Sequence, residues 1–253
     1  MTAIVVKSLS IDIPIFDVAS TSLRHVLLRR AVGGQMAQAG SHVVVNALKD
    51  VSFEADDGDR IGLVGNNGAG KTTLLRALAD IYPPTSGLVQ VDGRVSPMFD
   101  NNLGMDADAT GLENIRLCGL LWGLTPRQIE DSIDSIAEFT ELGDYINMPV
   151  RTYSQGMQLR LAFAIVTVRE PDILLLDESI GVGDANFFQK AYARLQNLVN
   201  RSRILFVASH SDQMIRELCN KALWLQSGTV MGFGEVDWVL RAYSKKDENR
   251  LEC

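Results

Sequence analysis

The stretch GNNGAGKTT, Gly65 to Thr73, satisfies the spacing GxxxxGK[ST] directly after the apolar run Ile61 to Val64. A polyphosphate concentrates negative charge, and a glycine-rich loop lets several backbone N–H groups converge on it without side-chain obstruction. Gly65, Gly68 and Gly70 supply that freedom, with Asn66, Asn67 and Ala69 between them. The pattern that opens at Lys71, Thr72 and Thr73 continues as LLRALADIY and predicts a helix to about Tyr82, its positive dipole end facing the phosphates. Lys71 adds a mobile positive charge for the terminal phosphates, and the Thr72 hydroxyl is placed to ligand the accompanying magnesium ion. The expected ligand is a nucleoside triphosphate with its metal.

Upstream, AIVVKSLSIDI and HVVVNALKDVSFEA read as strands separated by a helical insertion and a glycine-containing loop. The alternation in LKDVSFEA suits a half-exposed antiparallel pair. Downstream, LVQVDGRVSPMF has strand character around a turn at Asp92-Gly93, and Gly111 to Leu142 turns helical, resuming in MQLRLAFAIVTVRE. A largely helical insert therefore divides an α/β core. DILLLDE and RILFVASH read as strands buried on both faces, with FFQKAYARLQNLVNRS a helix between them. KALWLQSGTVMGFG predicts a closing hairpin with Gly228 at its turn, VDWVLRAY a last helix, and KKDENRLEC a frayed tail.

Two acids follow Ile173 to Leu176. Triphosphate hydrolysis needs two carboxylates with different tasks at such a strand end. Asp177 suits the magnesium ion, and Glu178 suits orienting or deprotonating the attacking water. Between loop and acids, Ser154 and Gly156 in YSQGMQLRLAFA begin a second helix whose N-terminus suits a phosphate; read alone, Ser154 is equally a plain helix cap.

At this point the chain resembles the ATP-binding subunits of ABC transporters over nearly its whole length, with GNNGAGKTT as Walker A, YSQGM as signature, ILLLDE as Walker B and ASH as the switch region. The resemblance implies an α/β fold, a P-loop NTPase core of ABC type with an antiparallel β subdomain and a helical insert subdomain. It implies one domain over about 1–244, with the insert at about 105–168 and a tail from about 245. It further implies ATP hydrolysis with Mg2+ by two copies packed head to tail. Ser154 and Gly156 of one copy would contact the terminal phosphate held by the other, while His210 would contact it within its own subunit beside Glu178. Outside that context, a strand-end histidine reads as a packing or surface residue.

Gln155 and Met157 depart from the consensus signature LSGGQ, which leaves close backbone approach to Gly156. The family's Q-loop glutamine is not evident in MFDNNLGMD, where Asp100 or Asn101 takes the equivalent place and either suits magnesium or water. Phe16 is the candidate to stack on adenine, with a core phenylalanine as the alternative.

YSQGMQLRLAFA, DESIGVGDANFFQK and HSDQMIRELCNKALWLQSGTV resemble the branch that energises export of polysaccharides such as O-antigen, capsule and teichoic acid. Gly183-Asp184 fits that branch's GD turn, Asp184 lying near the dimer interface, and the insertion before VNALKDVSF also fits, or is simple loop growth. The resemblance implies an integral membrane permease as partner, docked on the helical insert and the loop near Asp100 to Gly104. The chain ends soon after VDWVLRAY, so no carbohydrate-binding domain is expected. The implied place is the cytoplasmic face of the inner membrane, peripherally bound.

The 253 residues suffice for a sizeable core, and a formal charge of −7 argues against nucleic acid as a partner. The acidic balance, the single phosphate loop and the lack of coiled-coil or zinc insertions also disfavour a DNA-repair or ribosomal ATPase. Cys118, Cys219 and Cys253 form no CxxC pair, and MTAIVVKSLS is no secretory leader; both favour a reducing, cytosolic compartment. No run reaches the roughly 20 apolar residues of a membrane span. LRHVLLRR, Leu23 to Arg30, suits either an ordinary surface helix or a short amphipathic contact with a membrane or membrane protein.

Overall fold

Alternating and continuous apolar runs build two sheets in the computed structural model, which describes residues 2–15, 35–39, 42–98, 104–168, 170–177 and 185–251. The chain divides into two compact units, Met1–Pro97 with Asp172–Glu178 and Arg203–Cys253, and Met98–Pro171 with Ser179–Ser202.

In the first unit, β1 (Ala3–Ile15), β2 (Gln35–Ala39), β3 (His42–Asp56) and β5 (Ser86–Asp92) form a four-stranded sheet in the order β2-β3-β1-β5, every pair antiparallel. β2 is a strand that the sequence pattern did not announce. QMAQA has none of the β-branched or aromatic residues that favour strands, and its ladder to β3 supplies what its composition lacks. The β1–β3 register shifts between Val6 and Asp12, where Ser8 (φ 47°) and Asp50 (φ 51°) take left-handed backbone. Two hydroxyls satisfy the displaced amides, since Ser8 N–H donates to Ser52 Oγ at 2.8 Å and Asp50 N–H to Ser10 Oγ at 3.1 Å.

The second sheet runs β10-β9-β4-β8-β7-β6. Its members are β4 (Arg60–Val64), β6 (Val95–Met98), β7 (Ile173–Asp177), β8 (Ile204–Ala208), β9 (Lys221–Gln226) and β10 (Thr229–Glu235). Strands β9, β4, β8 and β7 are mutually parallel and β10 returns antiparallel. All of β8 and nearly all of β4 and β7 are buried, as continuous Val, Ile and Leu runs require. At Gly93 (φ 136°) the chain leaves the first sheet for the second, so Asp92-Gly93 joins strands of different sheets instead of closing a hairpin.

Helix α1 (Lys71–Leu78) stops short of Tyr82 because Asp80 (φ 58°) turns the backbone left-handed. Its unit also holds α6 (Asp212–Leu218) and α7 (Val236–Leu251); α7 continues through 245–251, the stretch read as a tail.

The α-helices of the second unit, among the described residues, are α2 (Gly111–Leu121), α3 (Pro126–Thr140), α4 (Gln155–Val166) and α5 (Ala185–Arg201). Capping boxes start α2 at Thr110/Glu113 and α3 at Thr125/Gln128, and Gly123 (φ 71°) breaks the run between them. A ring cluster fastens α5 within the unit: Phe139 lies 5.3 Å from Phe187, and the Arg194 guanidinium sits 4.4 Å over Phe139. Burial pushes the Cys118 thiol up to about 11 and, in the first unit, that of Cys219 up to about 12, which leaves both poor nucleophiles.

Asn114 is the polar keystone of the second unit. Fully buried on α2, it accepts from Asp106 N–H at 2.7 Å and donates to the carbonyls of Asp106, Ala109 and Thr110. Asn114→Ala strands these groups and is expected to cost about 2–4 kcal/mol. Urea unfolding, with hydrogen exchange at Asp106 to Thr110, checks it; a loss under about 0.5 kcal/mol would contradict the assignment.

Candidate functional site

The site begins where β4 ends. Gly65 (φ 146°) turns the chain out of the sheet so close to β9 that an added Cβ would lie 2.2 Å from the Leu225 carbonyl oxygen. Gly70 (φ 107°) precedes α1, and a Cβ there would meet the Ala47 carbonyl at 2.9 Å. Glycine at both positions is therefore a packing requirement as well as a conformational one. The loop is closed by Ala69 N–H donating to the Asn66 carbonyl at 3.0 Å. The β9–β10 turn clamps it, because Gly228 N–H donates to the Ala69 carbonyl while the Gly228 carbonyl accepts from Lys49 N–H of β3. That turn has both central residues left-handed, Ser227 (φ 48°) and Gly228 (φ 80°), as the tightest hairpins demand.

Three neighbouring parallel strands then bring four side chains together. Lys71 opens α1, and its ammonium donates to the carbonyls of Gly65 at 2.5 Å and Asn66 at 3.4 Å. Thr72 Oγ1 donates to Asp177 Oδ2 at 2.7 Å, and Asp177 closes β7 opposite Ala208 of β8. Beyond β8, His210 Nε2 stands 3.5 Å from Lys71 Nζ. Its flanks are fixed, since Ser211 N–H donates to buried Ser209 Oγ, and Ser211 Oγ caps α6 by accepting from Met214 N–H. The arrangement sets an ammonium, an imidazole and the opening N–H groups of a helix around one concave loop, a cradle for a polyanion. The first turn of α1 contains no acidic residue to oppose it.

The Thr72 hydroxyl and the Asp177 carboxylate are hard oxygen donors already in contact, and this donor set fits a magnesium ion that also binds phosphate oxygens. Among the described residues, no cluster of three or more His, Cys, Asp or Glu side chains gathers to hold a metal by itself.

Ser154 and Gly156 belong to the second unit. Ser154 Oγ accepts from Met157 N–H at 3.2 Å, so the hydroxyl caps α4. Among the described residues, a Cβ added at Gly156 would find only Ser154 Oγ, 3.9 Å away. Glu178, Phe16, Asp100, Asn101, Asp184 and the segment Leu23 to Arg30 lie outside the described residues. One contact went unread in the sequence: Tyr243 of α7 donates its hydroxyl to Asn66 Oδ1 at 2.7 Å, across 177 residues. No local periodicity encodes such a pairing.

The family model for the ABC transporter matches residues 48–181. The chain is 43% identical over 231 residues to the O-antigen export system ATP-binding protein RfbE of Yersinia enterocolitica, covering 91% of this chain and 97% of that one. It is 36% identical to the O-antigen export system ATP-binding protein RfbB of Myxococcus xanthus over 88% of this chain, and spans about half of that longer relative, 51%. Among solved structures, the dimeric post-hydrolysis state of the ATP-binding cassette MJ0796 bound to ADP and Pi superposes with a TM-score of 0.65. That match has 19% identity and covers 92% of this chain and 98% of that one; it establishes likeness of fold. Among the described residues no helix is long and apolar enough to cross a membrane.

Proposed function

The chain belongs to the ABC transporter family of ATP-binding subunits, and from that premise we propose that it energises export of a polysaccharide. The cargo is lipid-linked O-antigen, carried across the inner membrane by an integral permease to whose cytoplasmic face this chain binds. The observation that carries the reading is the convergence of Lys71, Thr72, Asp177 and His210 on one phosphate loop. The substrate rests on the likeness to the two O-antigen export proteins.

Gly65 to Thr73 wrap the phosphates with backbone N–H groups, Lys71 neutralises the terminal ones, and Thr72 with Asp177 would hold Mg2+. Bound there, the ion would supply charge neutralisation at the phosphate oxygens. Glu178 takes the proton of the attacking water, and His210 donates to the terminal phosphate beside it. Asp100, or Asn101, completes the metal or water contacts, and Phe16 stacks on adenine.

The other half of the site comes from a second copy. Gly156 supports this, because among the described residues nothing crowds the missing Cβ. Its glycine leaves backbone at a helix start open to an anion delivered from outside, and the first turn of α4 has no acid to repel one. For the permease, α2 presents Leu117, Leu120 and Leu121 exposed on the helical unit, an apolar face suited to a short helix of a membrane protein.

Purified protein with Mg-ATP is expected to release phosphate and, when turnover is blocked, to double its mass in light scattering. Gly156→Trp is expected to prevent the doubling while leaving ATP binding to the monomer intact. A monomer that hydrolyses ATP at a rate independent of its concentration would contradict the shared site.

A further inference from the structure

We propose that Tyr243, on the last helix, is a positioning residue of the nucleotide site, holding the Asn66 side chain so that the phosphate loop presents N–H donors to its ligand. The proposal rests on ATP binding at that loop and extends it to a part of the chain far from every nucleotide motif.

The anchoring of α7 gives Tyr243 a fixed place. At the helix start, Glu235 accepts from the N–H groups of Asp237 and Trp238, each at 3.0 Å, and the Arg216 guanidinium of α6 reaches Asp237 at 3.0 Å. Val239 and Leu240 are fully buried one turn further on. The Tyr243 ring then lies edge-on against Trp224, with centroids 5.7 Å apart at 69°. Trp224 pairs in register with Val64, the residue immediately before the loop. Ring and hydroxyl thus both address the loop entrance, the ring through its supporting strand and the hydroxyl through Asn66 itself.

The hydrogen bond has a definite polarity. Tyr243 donates its proton to Asn66 Oδ1 at 2.7 Å. With the amide oxygen engaged, Asn66 keeps two N–H groups to offer, the polarity an anionic ligand needs. The Asn66 backbone is committed as well, its carbonyl accepting from Ala69 N–H at 3.0 Å and from the Lys71 ammonium at 3.4 Å. A side chain that rotated freely on this residue would spend part of its time with the oxygen toward the phosphates, opposing Lys71. The Tyr243 hydroxyl removes that orientation before the nucleotide arrives, so the benefit falls on binding and not on the chemical step.

The test compares wild type, Tyr243→Phe, Asn66→Ala and the double variant. Equilibrium binding of a fluorescent ATP analogue, steady-state hydrolysis and thermal melting of the nucleotide-free protein are the readouts. Tyr243→Phe keeps the ring on Trp224 and removes only the hydroxyl. The expected result is affinity weakened and KM raised about 3- to 10-fold, with kcat within about twofold of wild type and an unchanged melting temperature. Asn66→Ala should lose at least as much, since it also removes the amide donors, and the double variant no more than Asn66→Ala alone, because Tyr243 acts through Asn66. Wild-type affinity in Tyr243→Phe, or losses that multiply in the double variant, would overturn the proposal. A wild-type chain that binds the analogue without turning ATP over would count against the transport ATPase reading, while the affinity ratio still decides the role of Tyr243.

Discussion

Lys71→Ala lowers ATP affinity about 10- to 100-fold, the range expected when a charge-assisted contact to phosphate is lost. The ammonium is pre-placed for this role, folded over the loop between the Gly65 and Asn66 carbonyls and 3.5 Å from His210 Nε2. Alanine removes the one side chain of the loop that carries charge, leaving backbone N–H groups and the helix dipole to hold the nucleotide. The fold should persist, since the glycine geometry and the Gly228 clamp on Ala69 do not involve the lysine side chain. Titration of the fluorescent analogue, with melting as the control, measures the effect. A variant that binds within twofold of wild type would remove Lys71 from the site.

Glu178→Gln is expected to have the larger effect on rate, a fall in kcat of about 100- to 10,000-fold with affinity retained. Glutamine keeps size and hydrogen bonding but cannot accept the proton of water. In sequence the residue directly follows Asp177, whose carboxylate is bonded to Thr72 at the end of β7. Single-turnover phosphate release separates this from a binding defect. Hydrolysis at the parental rate would sink the assignment of Glu178 as base.

Much of this was legible because the relevant physics is local. Continuous apolar runs announced β4, β7 and β8, whose faces are both buried, and the motif spacing placed Lys71, Thr72, Asp177 and His210 at the ends of strands that the fold makes neighbours. Features set by distant partners were not legible. QMAQA becomes a strand only because β3 offers it a ladder, and Tyr243 meets Asn66 only after α7 has packed. The second unit is likewise assembled from separate segments. The stretch FFQKAYARLQNLVNRS looks like an ordinary crossover helix between strands, yet Phe187 and Arg194 place it with Phe139 and Phe163 of the helical insert. Ser154 is different, since a serine at a helix start reads in the sequence either as a cap or as a phosphate ligand, and the cap is the contact made here.

The central claim is that ATP turnover by this chain drives polysaccharide export. It is tested most directly in cells lacking the chain, by measuring O-antigen on the outer surface and on its lipid carrier inside, with wild type or Glu178→Gln supplied in trans. Without the chain the polymer is expected to accumulate on the inner carrier, and wild type to restore surface display while Glu178→Gln, present at equal level, does not. Unchanged surface O-antigen in the deletion, or full restoration by Glu178→Gln, would contradict it.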